Sequence, residues 1–440
     1  MAKQILSAAR IRESLGKRLK VHYMKTAVII LLSIVGFTSV TAQPERTRGW
    51  SDDIDYLLAK VKEQHYVYKN KDLPPAMVQT AEELKKRIPD STDERMLIEL
   101  QGLMYHLGDG HSYILPLMAR ITESKFLPLH FYEFTDGMYV IDADAANARL
   151  IGMKVKSIAG ATPEKIMRDM VAFVSQDNTV GAQWLGPVFM RQRGLLERYG
   201  LAIGSQTALI KFEDQTGKQF EASVPFVPPT DFRGVPKMVP AKNTPADIVP
   251  LYLTNVSDNF WFKYLPEHKA MYFQWNQVQN KEGETLAAFS TRLANELKTL
   301  KPTLLIVDVR HNNGGNGYLN TAVIKMMKNY EESQKGQIVI ITGRNTFSAA
   351  QIFIGRADHE TGAVFAGEPS SSKPNFVGEE NEVILPYSGA RGSISNRYHE
   401  SIPGDTRQWI APELEMRLSS RDYFGNNDPV LKAVLKKYGK

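Results

Sequence analysis

Thr303-Leu304-Leu305-Ile306-Val307-Asp308-Val309-Arg310-His311-Asn312-Asn313-Gly314-Gly315 decides the fold of this 440-residue chain. Its first seven residues form a nearly unbroken apolar run, the pattern of a strand covered on both faces; a sheet with one wet face would alternate instead. Outward from it, strands are predicted at Ala270–Trp275, Gln337–Thr342 and Ala363–Ala366. Helices are predicted at Leu286–Leu300, about Tyr318–Met327, and at Ser348–Arg356. Strands alternating with helices imply a largely parallel sheet flanked by helices, with ligands beyond the carboxyl ends of the strands. Three of those ends carry unusual loops: Asp308–Gly315, Thr342–Ser348 and Gly367-Glu368-Pro369.

Ser348 stands where a strand turns into a helix. A serine there can face outward beside unsatisfied N–H groups, which suits a nucleophile whose attack creates an oxyanion. Taken alone, a serine in this position more often caps the helix. Asn312-Asn313-Gly314-Gly315 offers a second set of backbone donors with room for close approach, or an ordinary glycine turn.

The residues before this core read differently. From Trp50 to Leu107 the pattern is helical. Ser91-Thr92-Asp93-Glu94 is predicted as a capping box, followed by a stripe through Met96, Leu97, Leu100, Leu103, Met104 and Leu107. Gly108 ends that helix and opens the turn Gly108-Asp109-Gly110-His111-Ser112. Residues 126–228 read as a small mixed unit, with strands at Met138–Ile141, Lys154–Ile158, Ala208–Phe212 and Phe220–Val224 and a helix at Pro163–Val174. Prolines crowd 228–250, so a linker or arm is expected there.

At the amino end, Met24-Lys25, the apolar stretch Ala27–Phe37 and the small residues Val40 and Ala42 form a secretory-signal pattern, with residues 1–23 as an upstream extension. An N-terminal membrane anchor is the alternative. The expected divisions are 1–42, the helical 43–125, the mixed 126–228, an arm at 229–265 and a β-α core at 266–440. The net charge of +6 resides in residues 1–42, which hold seven Lys/Arg and one acid. The remainder balances at 47 basic against 47 acidic residues and presents no footprint for a nucleic acid. With no cysteine, disulfides, thiolate metal sites and cysteine nucleophiles are excluded. No phosphate loop or dinucleotide fingerprint appears, so no cofactor is expected.

Four motifs in order resemble the tail-specific, or C-terminal-processing, serine peptidases, including their tricorn-core branch. They are Gly108-Asp109-Gly110-His111-Ser112, the run Leu305–Arg310 with Asn312-Asn313-Gly314-Gly315, Thr346-Phe347-Ser348-Ala349-Ala350, and Gly367-Glu368-Pro369. The resemblance implies an α/β multidomain chain: a crotonase/ClpP-like β-α catalytic core, an N-terminal helical region and a PDZ-like α+β domain. Lys156-Ser157-Ile158-Ala159-Gly160 resembles such a PDZ-like module, an unrelated insert being the alternative. The resemblance further implies an endopeptidase acting on peptide or protein substrates; the signal pattern makes it an exported one, periplasmic or extracellular. Ser348 would be the nucleophile, and the N–H groups of Gly314 and Ala349 the oxyanion hole.

Two bases are compatible with the resemblance, His111 in the tricorn-like branch and Lys373 in the other. Imidazole titrates near 6.5 and is a base at neutral pH, whereas lysine must fall from about 10.4 to about 7–8. The neighbours of Lys373 (Ser371, Ser372, Pro374, Asn375) give no sign of the apolar pocket this would need, which favours His111. Glu400 is the candidate to orient the imidazole, with Asp109 and Ser112 as alternatives. His106 and His111 lack a third ligand, so no metal is expected. Ser370-Ser371-Ser372 stands where the family commonly has a threonine-glycine turn, which keeps a non-catalytic peptide- or ligand-binding protein on the same core as the rival reading.

Overall fold

The computed structural model describes residues 43–116, 119–122, 124–228, 238–241 and 244–440. The secretory-signal pattern lies outside the described residues, as does part of the expected arm. Among the described residues, no helix is long and apolar enough to cross a membrane.

The quoted run forms the strand Leu304–Asp308, all five residues buried. It lies inside a six-stranded sheet ordered Leu414–Glu415, Val364–Gly367, Gln337–Thr342, Leu304–Asp308, Ala270–Trp275 and Phe260–Leu265. Every pairing is parallel except the last. Side chains alternate across the pleat, so Met271, Phe273, Leu305, Val307, Ile338 and Ile340 meet the helices Leu286–Leu300, Asn320–Gln334 and Ala349–Glu360. Ala270, Tyr272, Leu304, Ile306, Val339 and Ile341 meet Val430, Leu431 and Val434 of the C-terminal helix Pro429–Tyr438. Both faces are dry, as the unbroken apolar run requires.

A second sheet of five antiparallel strands is built from 129–134, 137–143, 154–158, 207–213 and 219–225, in that order. It packs with the helices Pro163–Met170 and Val180–Phe189 around its own apolar core. A third layer consists of the helices 43–64, Pro75–Arg87 and Asp93–Met104. Two expectations are corrected. The arm 229–265 ends in Phe260–Leu265, an edge strand of the main sheet. The capping box does not form at Ser91: Thr92 caps instead, accepting from Arg95 N, because Glu94 is drawn into a two-point ion pair with Arg193. The N-terminal layer is joined to the later chain. Tyr113–Leu115 pairs with Arg391–Ile394, and Val383, Leu385, Ala390 and Ile394 complete its apolar core. This pairing brings the early glycine turn to the carboxyl edge of the main sheet.

Candidate active site

Ser348 follows the strand Gln337–Thr342 and its loop, and begins the helix Ala349–Glu360. Its backbone sits at φ 54°, ψ −123°, a conformation costing a non-glycine residue about 1–3 kcal/mol. Its hydroxyl makes no capping bond, so the helix-cap alternative falls. The loop beneath is fixed by Thr346, whose hydroxyl donates to Val309 O and accepts from Gly343 N. A sharp strand-to-helix turn of this kind lifts a hydroxyl clear of the sheet.

His111 Nε2 lies 2.9 Å from Ser348 Oγ, across 237 residues of sequence. The imidazole is 5% exposed and stacks on Phe347 and Phe376, with ring centroids 4.4 and 5.4 Å away. Burial lowers its pKa to about 4; the carboxylate of Asp109 opposes the shift and His399 adds to it. The ring is therefore neutral across the physiological range. Ser348 can donate to Nε2 only in the tautomer with the proton on Nδ1. That Nδ1 is buried with no partner among the described residues.

The turn carrying His111 is held by its own neighbours. Asp109 Oδ1 accepts from His111 N (2.9 Å), Ser112 N (2.6 Å) and the Ser395 hydroxyl (2.6 Å). Oδ2 lies 2.9 Å from His65 Nε2. Because His65 Nδ1 accepts from Val67 N, its Nε2 carries the proton given to Asp109. Burial alone would raise the Asp109 carboxyl; His65 and Ser395 outweigh it and hold the group below the usual range. Asp109 thus steers the base through backbone amides and leaves the ring nitrogen alone. Asp177, buried, accepts from Gly110 N at 2.9 Å and from the Ser372 hydroxyl. Burial and the nearby Asp109 push it up to about 7, against its Ser372 and Gly110 donors and the Lys373 cation.

The other residues singled out in the sequence fall as follows. Gly314 adopts φ 110°, and a Cβ there would stand 2.7 Å from Ser348 Cβ and 2.9 Å from Ala349 N, so only glycine allows this approach. Its N–H donates to Asn312 Oδ1 at 3.0 Å, while the N–H groups of Ala349 and Gly315 have no protein acceptor among the described residues. Glu400 is not brought to the site. It is exposed, accepts from Gly404 N, and lies on a strand where His399 is the residue opposite Phe376, so the pleat turns Glu400 away. Lys373 is half-buried and does not line the cleft that holds Ser348 and His111. The buried bonds of Ser370, Ser371 and Ser372 fix that loop. His106 bonds to the Thr80 hydroxyl. Asp177 and His65 were not foreseen; the one lies in a polar stretch without a motif, the other just past a helix end, 44 residues before its partner Asp109.

Ser348 and His111 open into a cleft of about 970 Å³ whose walls include Ile114, Trp184, Leu185, Val188, Phe189 and Ile352. The arrangement provides a strained alcohol, a neutral base in hydrogen-bond contact, amide donors at a helix N-terminus and an apolar groove.

No family model matches the chain, and no curated protein matches its sequence. Solved structures do. Mature CPAF complexed with lactacystin superposes with a TM-score of 0.61 at 12% identity, covering 89% of this chain and 97% of that one. Mature CPAF alone gives 0.60 at 11%, covering 89% and 96%. A photosystem II D1 C-terminal processing protease gives 0.42 at 12%, covering 89% and 98%. The chain is a mixed α/β multidomain protein that shares the fold of the mature CPAF structures over nearly its whole described length.

Proposed function

We propose that this chain is an exported serine peptidase of the tail-specific, C-terminal-processing kind, working by acyl transfer on peptides or protein tails. The observation that carries the reading is the 2.9 Å contact between a strained Ser348 and the buried, neutral imidazole of His111. In this mechanism Ser348 Oγ attacks the scissile carbonyl as its proton passes to His111 Nε2. The imidazolium then returns the proton to the leaving amine, and water, activated by the same nitrogen, releases the acyl group. Ala349 N–H and Gly314 N–H receive the oxyanion, the latter by sharing or exchanging its bond to Asn312 Oδ1.

Lys373 serves as a counter-charge near Asp177 in this reading, and Glu400 has no catalytic role. The six-stranded unit is the crotonase-like core. The five-stranded unit, PDZ-like, holds the extended peptide by strand addition. The test is cleavage of an unfolded protein by the full chain and by its Ser348→Ala variant. The variant should lose at least about a thousandfold in rate with folding intact; equal cleavage by both removes the reading.

A further inference from the structure

The two halves of the reacting pair arrive on separate loops, so something must set the distance between them. On one side, Asp109 ties the His111 turn to His65 in the N-terminal layer and to Ser395. On the other, the nucleophile loop is joined to the segment 370–372 by Ser371 N donating to Thr346 O. Asp177 stands where these two assemblies meet. One of its oxygens takes the N–H of Gly110, next to the base; the other takes the hydroxyl of Ser372, next to the loop tied to the nucleophile. Gly110 is itself confined between this carboxylate and the Phe347 ring. A Cβ there would lie 2.8 Å from the ring and 3.6 Å from Asp177 Cγ.

The carboxylate is also mounted rigidly. Asn178 Nδ2 donates to Ser370 O and Gln408 O, and its Oδ1 accepts from Val180 N. Gln176 bridges Val171 O and Ala182 N, and Ser175 accepts from Gln101. Every residue from 175 to 178 is thus bonded through its side chain, the kind of supporting shell that a precisely held group requires.

We propose that Asp177 is a positioning residue that sets the separation of His111 and Ser348 through its two hydrogen bonds. This rests on the peptidase reading above. It touches neither substrate nor reacting atoms. A misplacement of about 1 Å in a reacting pair costs on the order of a hundredfold in rate, which gives the size of effect to look for.

The experiment uses the full chain and reads two quantities: the rate of Ser348 labelling by a fluorophosphonate, and kcat and KM on an unfolded protein substrate. Asp177→Ala should slow labelling and lower kcat by about 30–100-fold with KM within about threefold. Ser372→Ala, which cuts one of the two bonds, should fall between it and the wild type. Asp177→Asn should recover to within about fivefold, since its carbonyl can accept from Gly110 N and its amide can donate to Ser372. Should the alanine variant fail to fold, the Ser372→Ala and Asp177→Asn rates carry the same comparison. Labelling of Asp177→Ala at the wild-type rate, or an asparagine variant as slow as the alanine one, overturns the proposal alone. A wild-type chain that does not label at all overturns the peptidase reading, and this inference falls with it.

Discussion

The acid limb of the reaction follows from the burial of His111. A free imidazole with a pKa near 6.5 is about one-tenth neutral at pH 5.5. A ring held at about 4 by burial is almost wholly neutral at that pH. The perturbation is therefore a pH change from 7.5 to 5.5, and the assay is the labelling rate of Ser348 by a fluorophosphonate whose own reactivity is calibrated against a small alcohol. Read in the Asp177→Asn variant, because Asp177 itself changes charge near pH 7, the rate should change by less than about twofold between the two values and fall with unit slope only below about pH 4, where unperturbed imidazole would predict a drop of about tenfold at pH 5.5. The same shift makes a statement about stability. The folded pKa is depressed, so between about 4 and 6.5 the unfolded chain binds more protons at this site. The stability is fully present above 6.5 and is lost as pH falls towards 4, at up to about 1.4 kcal/mol per pH unit. A tenfold loss of labelling at pH 5.5 in a chain that is still folded would refute the burial argument.

His111→Ala should reduce peptide cleavage by about a hundredfold or more, while Lys373→Ala should leave it within about threefold; steady-state kinetics on both variants checks the choice of base. Gly314→Ala should abolish labelling of Ser348, because the added methyl must occupy space 2.7 Å from Ser348 Cβ; intact labelling would show that the loop yields. Arg344 pairs with Glu368 at 2.7 Å deep in the structure and donates to Glu133 O in the five-stranded unit. Arg344→Ala should cost about 3–5 kcal/mol in denaturant unfolding by stranding the glutamate, and replacing both partners with apolar residues should recover most of it. Asp177 has its folded pKa raised to about 7, so above the unfolded value near 4 stability falls as pH rises towards 7. Asp177→Asn should therefore raise Tm more at pH 8 than at pH 5, measured by calorimetry.

What the sequence disclosed was whatever short-range pattern could encode. Thr303–Val309 declared a doubly covered strand, and Leu286, Phe289, Leu293 and Leu297 declared the helix face that covers it. The glycine turn around His111 and the strand-to-helix step at Ser348 were visible because sharp turns demand particular residues. Phe260–Leu265 was hidden by the proline-rich arm before it, and its place at the sheet edge is set by pairing with Ala270–Trp275. Glu400 illustrates a different limit. A separation along the chain cannot say which side of a pleat faces inward, and one residue of register gives His399 the inward position. Asp177 and His65 act through contacts 67 and 44 residues distant, made of residue types that usually lie in water.

Trapping the acyl-like adduct tests the central claim most directly. After exposure of the full chain to a fluorophosphonate at neutral pH, proteolytic mass spectrometry should find one phosphonylated residue, Ser348, with labelling abolished in Ser348→Ala and strongly slowed in His111→Ala. A chain that cleaves peptide while the adduct lies on another residue, or while Ser348→Ala cleaves as fast as the wild type, contradicts the account.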